Sequence, residues 1–319
     1  MSLNDCYIRE NKFKWKFGQK PTFPIVPGMD LVGIVISSGS KTSEYDIQPG
    51  DKVAALVMHG CNAKYRTLQH KHLIKVPDDV ESGEAVSMIR TYTEAFQALM
   101  QNVTEPARYS NKPLNGKRIL IVGPCGNFER AMVELSLLLG AKRVYFSSTQ
   151  FHDMYIRLLG AKPLGPEPED WVRVVKGKID IAIDSVCDDR YEHSFAALNN
   201  TGILVATGMS EVTNDGEDII TEIERAWMHA TVALSRRCTY YHGIVHAWNS
   251  DYATCKKDLT FLYNILDQGK IRPKIAARIP LTKVPITQER LVKNYESMER
   301  RGVFVVEPWK VSKGESTAE

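Results

Sequence analysis

Residues 118 to 140 hold the pattern with the most chemical consequence. The apolar run Arg118-Ile-Leu-Ile-Val122 leads through Gly123-Pro124-Cys125-Gly126-Asn127 into Phe128, Ala131, Met132, Leu135, Leu138 and Leu139, which keep a helical period before Gly140. A strand turning through glycines into a helix aims backbone N–H groups and a positive helix end at one place, where an anion such as a phosphate is favoured. Cys125 stands just before that helix, where the dipole could lower a thiol pKa. No partner base is evident in the sequence, so it reads as a small loop residue open to oxidation. Gly208-Met209-Ser210 follow the apolar run 203–206, at the carboxyl end of a strand, the place where open sheets bind ligands.

Metal chemistry has thinner support. His242 and His246 are four residues apart and could share an ion on a helix, but Gly243-Ile244-Val245 between them favours a strand. His70 and His72 alternate onto one face of an expected strand and read as solvent-facing. The six cysteines form no CxxC or close pair, so neither a zinc lobe nor a disulfide framework is indicated, and a reducing compartment is the simpler reading. Arg90 lies four residues before Glu94 and could pair with it, leaving a structural ion pair.

The elements that position these residues follow from periodicity. Residues 21–99 read as a mostly β unit, with strands at 34–36, 52–57 and 73–76 and a type II turn at Pro49-Gly50. From Asn115-Gly116 strand and helix alternate. Continuous apolar runs at 118–122, 144–146, 178–183 and 203–206 mark strands buried on both faces of a parallel sheet. Helices fall at 128–139, 155–159 and 191–198, and the alternation predicts an α/β doubly wound sheet. A helix at 252–266, β character at 271–281, a helix at 289–298 and a strand at Val303–Val306 follow. The polar tail from Lys310 reads as disordered.

Length and composition bound the function. The 319 residues suit about two domains. The 41 basic and 38 acidic side chains leave a net charge of +3, so nucleic acid is a poor partner. No apolar run is long enough to cross a bilayer, and the polar opening shows no secretory signal, so a cytoplasmic location without membrane attachment is expected.

Taken in order, the stretches NDCYIR (4–9), PIVPGMDLVGIVISSGS (24–40), DIQPGDKV (46–53), LIKVPDDV (73–80), TYTEAFQAL (91–99), 118–142, IDIAIDSV (179–186) and GILVATG (202–208) resemble the medium-chain dehydrogenase/reductase superfamily, in its zinc-free quinone oxidoreductase branch, related to zeta-crystallin. The resemblance implies a GroES-like β domain over 1–115, a Rossmann dinucleotide-binding domain over 116–268, a return to the β domain over 269–309 and a tail over 310–319. The family's chain begins earlier, with strands that close the β domain, so this domain is expected to be N-terminally incomplete. It also implies NADPH-dependent, zinc-independent reduction of quinones or α,β-unsaturated carbonyls, with a small-molecule substrate. A homodimer through the edge of the nucleotide-binding sheet at 238–246 is implied too, Tyr240 and Tyr241 supplying apolar contact.

The resemblance assigns cofactor binding to Gly123, Gly126, Asn127, Ser147, Ser148, Thr149, Gly208 and Met209. The neutral hydroxyls at 147–149 stand where NAD-binding members carry an acid, which favours a 2′-phosphate, although Met154 matches the lysine that often pairs with it. Tyr7 aligns with a tyrosine lining the nicotinamide pocket, as proton donor or orienter; otherwise it is a half-buried strand tyrosine. Gly28-Met29-Asp30 replaces the Gly-His-Glu of catalytic-zinc relatives, so no metal is expected. Fingerprint glycine positions fall on Pro124, Gly126 and Glu129, and only the middle one is glycine. Glu129 either caps the helix and points away or occupies the place of the pyrophosphate. The second implied reading is therefore a degenerate member acting as a binding or scaffold module; a third is an incomplete gene model of an ordinary enzyme.

Overall fold

The computed structural model describes residues 1–13, 22–39, 46–147, 153–186, 189, 191–207, 237–294 and 302–310. In chain order the elements are α1 (Leu3–Arg9), β1 (Asp30–Ile34), β2 (Lys52–Leu56), β3 (Ile74–Lys75), α2 (Ser82–Ser87), α3 (Thr93–Leu99), β4 (Arg118–Val122), α4 (Asn127–Leu138), β5 (Arg143–Ser147), α5 (Asp153–Leu158), β6 (Lys162–Pro163), α6 (Pro168–Val175), β7 (Ile179–Asp184), α7 (Glu192–Ala197), β8 (Leu198–Ala206), β9 (Cys238–Tyr240), α8 (Ile244–Ser250), α9 (Tyr252–Asp267), β10 (Ile275–Ile279), α10 (Val284–Lys293) and β11 (Val303–Val306). They fall into two units, Met1–Thr93 with Asp251–Glu319, and Glu94–Ser250. Residues 94–115 thus group with the parallel sheet, and residues 251–268 with the other unit.

Glu94–Ser250 is built on a six-stranded sheet in the order β6-β5-β4-β7-β8-β9, parallel throughout. Numbered within the unit this is 3-2-1-4-5-6, the order of Rossmann-like dinucleotide-binding sheets. The runs expected as strands are buried because the sheet is covered: Ile119, Leu120, Ile121, Val144, Phe146, Ala182, Ile183, Leu204 and Val205 are all inaccessible. α4 buries Ala131, Met132, Val133 and Leu135. It ends in a Schellman motif, in which Gly140 takes φ +98° and Ala141 N–H donates to Ser136 O at 2.9 Å.

The other unit holds an antiparallel sheet β1-β2-β3 and a parallel pair β10-β11. The expected turn is present: Asp51 N–H donates to Gln48 O at 3.0 Å, with Gly50 at φ +96°.

Several local expectations are corrected. NDCYIR lies in α1, whose start is fixed by Asp5: its Oδ2 accepts from Ser2 N–H at 2.7 Å and its Oδ1 from Gly28 N–H at 2.9 Å. Residues 82–99 are helical, running through α2, a π turn at Met88–Tyr92 and α3. Glu81 starts the run by accepting from Gly83 N–H and Glu84 N–H, both at 2.9 Å. His70–His72 form a 3₁₀ turn rather than a strand. α10 begins at Val284, with Pro285 in its first turn, earlier than the expected start near 289.

Candidate functional site at the first turn of the parallel sheet

The strand order reverses between β4 and β7, and ligands of such sheets bind outside the carboxyl ends of the strands there. Two short segments meet at this place. Gly123–Gly126 leaves β4 and enters α4; Ser185 and Val186 leave β7.

The turn is held tightly. Gly123 is buried, and a Cβ on it would stand 2.7 Å from Ser185 Oγ and 2.8 Å from both Cγ and Oε1 of Glu129. Cys125 adopts φ +64° and is 1% exposed, while Pro124 faces solvent. Gly126 N–H donates to Glu129 Oε2 at 2.9 Å. The Ser185 hydroxyl lies 3.2 Å from Glu129 Oε1 and 3.1 Å from Val122 O. Glu129 is 3% exposed, and burial pushes its carboxyl pKa up, opposed by its hydrogen bonds to backbone N–H and to Ser185.

Of the two readings of Glu129, the structure shows the inward one. The carboxylate caps α4, but it does so from inside the turn, packed on Gly123. A dinucleotide pyrophosphate needs the bare glycine and the free amide that this side chain occupies. In the conformation described the turn does not fit a pyrophosphate. Beside it, Asp184 is 3% exposed, with Oδ1 accepting from Val186 N–H at 3.0 Å and Oδ2 from Ser194 Oγ at 2.6 Å. Two buried carboxylates thus flank the switch point of the sheet.

The other expected cofactor residues fare differently. Asn127 is the first residue of α4 and is half-buried. Ser147 closes β5, but its hydroxyl donates to Gly165 O at 3.2 Å instead of standing free. Ser148, Thr149, Gly208 and Met209 lie outside the described residues. Tyr7 is half-buried on α1, a helix where a strand was the alternative, and its carbonyl accepts from Lys12 N–H and Phe13 N–H. Cys125 is not the accessible thiol its position suggested; it is closed off by burial.

His246 lies on α8, not on a strand, its ring centroid 4.8 Å from that of His242. Among the described residues no three His, Cys, Asp or Glu side chains come together as a metal site. Met29 is fully buried. Among the described strands β9 lies at one end of the sheet. Tyr241, however, turns inward: it is 5% exposed, and its hydroxyl donates to Gln97 Oε1 at 2.9 Å. No described helix is long and apolar enough to cross a membrane.

Comparison with known proteins follows the same two-part pattern. Residues 2–78 match the alcohol dehydrogenase GroES-like domain, and residues 159–294 match the zinc-binding dehydrogenase family. The synaptic vesicle membrane protein VAT-1 homolog-like of Mus musculus is 24% identical over 213 residues, 65% of this chain and 48% of that protein. The chain thus spans about half the length of that relative. The chloroplast envelope quinone oxidoreductase homolog of Arabidopsis thaliana is 23% identical over 292 residues, 90% of this chain and 80% of that protein. A mycobacterial protein solved in complex with NADPH superposes with a TM-score of 0.69 at 20% identity, covering 97% of this chain and 88% of that one.

Proposed function

Because the chain belongs to the medium-chain dehydrogenase/reductase superfamily, we propose that it is a zinc-independent reductase of quinones or α,β-unsaturated carbonyls that uses NADPH. One observation carries the reading: the 3-2-1-4-5-6 parallel sheet, with a glycine-bearing turn and helix directly after its first strand. The relatives named as quinone oxidoreductase and as NADPH complex support it. In this reading Gly123, Gly126 and the first turn of α4 would hold the pyrophosphate only with the Glu129 side chain displaced from the turn, and Ser147, Ser148 and Thr149 are the residues assigned to the adenosine ribose. Gly208 and Met209, next after β8 in the sequence, are assigned to the same cofactor. NADPH, when bound, would supply the hydride. Tyr7 orients the acceptor or delivers the proton. The protein works as a cytoplasmic homodimer on small molecules, apart from nucleic acid and membrane, with β9 at the subunit contact.

Glu129 favours a second reading, a family member that keeps the fold as a binding module without turnover. Titration of the purified protein with NADPH, followed by nicotinamide fluorescence and then by its oxidation with a quinone and an enone, separates the two. Saturable binding with turnover of either acceptor supports the reductase. Binding without turnover supports the module, and no binding at millimolar NADPH removes the reductase.

A further inference from the structure

Resting on the reading of the parallel sheet as a dinucleotide site, we infer that the side chain of Glu129 is the turn's own anion: it occupies the phosphate position, and nucleotide affinity is set by how readily that side chain is displaced. Three observations bear on this, each from a different atom. Gly123 lacks the Cβ that would otherwise keep groups away, and the space so freed is filled by Glu129 Cγ and Oε1. The Gly126 amide, at the entrance to α4, already donates to Glu129 Oε2. The third is Ser185, whose hydroxyl, at the neighbouring strand end, is drawn onto the other carboxylate oxygen. A helix of twelve residues directs its positive end into this place, and a carboxylate satisfies it as a phosphate would. The fold therefore completes its phosphate cradle from its own sequence.

Two consequences follow for a dinucleotide. Its pyrophosphate must take the Gly126 amide from Glu129, and the expelled side chain must find another rotamer at the mouth of the same crevice. A carboxylate left about 4 Å from a phosphate repels it strongly even at an effective dielectric constant of about 20. Residue 129 thus decides whether the site is open.

The test is calorimetric titration of NADPH into the wild-type chain, Glu129→Gly and Glu129→Ala, with circular dichroism and thermal melting to show that each is folded. Alanine keeps helix propensity should glycine unfold α4. The inference expects NADPH to bind the substituted proteins on the order of a hundredfold more tightly than wild type, the scale set by one like-charge contact and one recovered amide. Equal binding by all three overturns the inference and leaves the reductase reading standing. No binding by any folded protein overturns both, because removing the side chain then opens nothing.

Discussion

If Glu129 packs on Gly123, a methyl group added at residue 123 must collide with it, and the collision must vanish when the Glu129 side chain is removed. Gly123→Ala places a Cβ 2.8 Å from Cγ and Oε1 of Glu129 and 2.7 Å from Ser185 Oγ, well inside van der Waals contact. Ser185 can rotate its hydroxyl away, whereas Glu129 is held by the Gly126 amide and buried walls. Overpacking of this kind costs about 1–3 kcal/mol, and most of it belongs to Glu129. Glu129→Ala removes the obstacle but frees the Gly126 N–H, a loss of about 1 kcal/mol offset by no longer burying a carboxyl. The single values are therefore mixed, and the coupling between them is the clean quantity. Urea unfolding of wild type, both single variants and the double variant should give a double variant about 1–2 kcal/mol more stable than additivity predicts. Additivity within about 0.5 kcal/mol would refute the packing on which the reading of this turn depends.

The raised carboxyl of Glu129 makes a pH prediction with a definite sign. The folded chain keeps a proton that the unfolded chain releases, so stability falls as pH rises from the ordinary value of 4.5 through the raised folded value. Wild type should lose stability relative to Glu129→Gln across that window and run parallel to it below; the opposite slope in denaturation midpoints would contradict the burial. Among the thiols, burial pushes Cys6 and Cys61 up to about 12 and Cys238 up to about 11, while Cys125 and Cys255 are inaccessible. Alkylation at neutral pH with peptide mapping should leave these five unmodified until denaturant is added, and rapid labelling of native Cys125 would count against its placement. Arg278 donates to both oxygens of Glu81, at 3.0 and 2.6 Å, and to Glu307 at 3.0 Å, joining α2 to β10 and the end of β11. With these groups about a third or more exposed, Arg278→Ala should cost about 1 kcal/mol in urea melts, less at high salt; no salt dependence would show the pairs contribute little.

How much of this was legible in the sequence depended on burial pattern. The strands β4, β5, β7 and β8 could be read because a parallel sheet covered on both faces demands uninterrupted apolar runs. Gly140 was legible because a helix end needs a positive φ that glycine adopts freely. The helical stretch 82–99 was missed although Ala85, Met88, Ile89, Tyr92, Ala95, Phe96 and Leu99 are buried at spacings of three and four. Gly83 and the Thr91-Tyr92-Thr93 run, poor helix formers, masked that period. His70-Lys71-His72 is too short for alternation to separate a strand from a 3₁₀ turn. At the site, the sequence located Glu129 but not the direction of its side chain, which depends on Ser185 arriving from a strand 56 residues away. The same holds for Ser147 and Tyr241, whose hydroxyls are claimed by Gly165 O and Gln97 through tertiary contacts that no local pattern encodes.

The most direct measurement is a crystal structure of the wild-type protein grown with NADPH. The account predicts that wherever the Glu129 carboxylate lies within hydrogen-bond reach of the Gly126 amide, no phosphate stands over Gly123. A pyrophosphate bonded to that amide while the carboxylate keeps its buried place would contradict it.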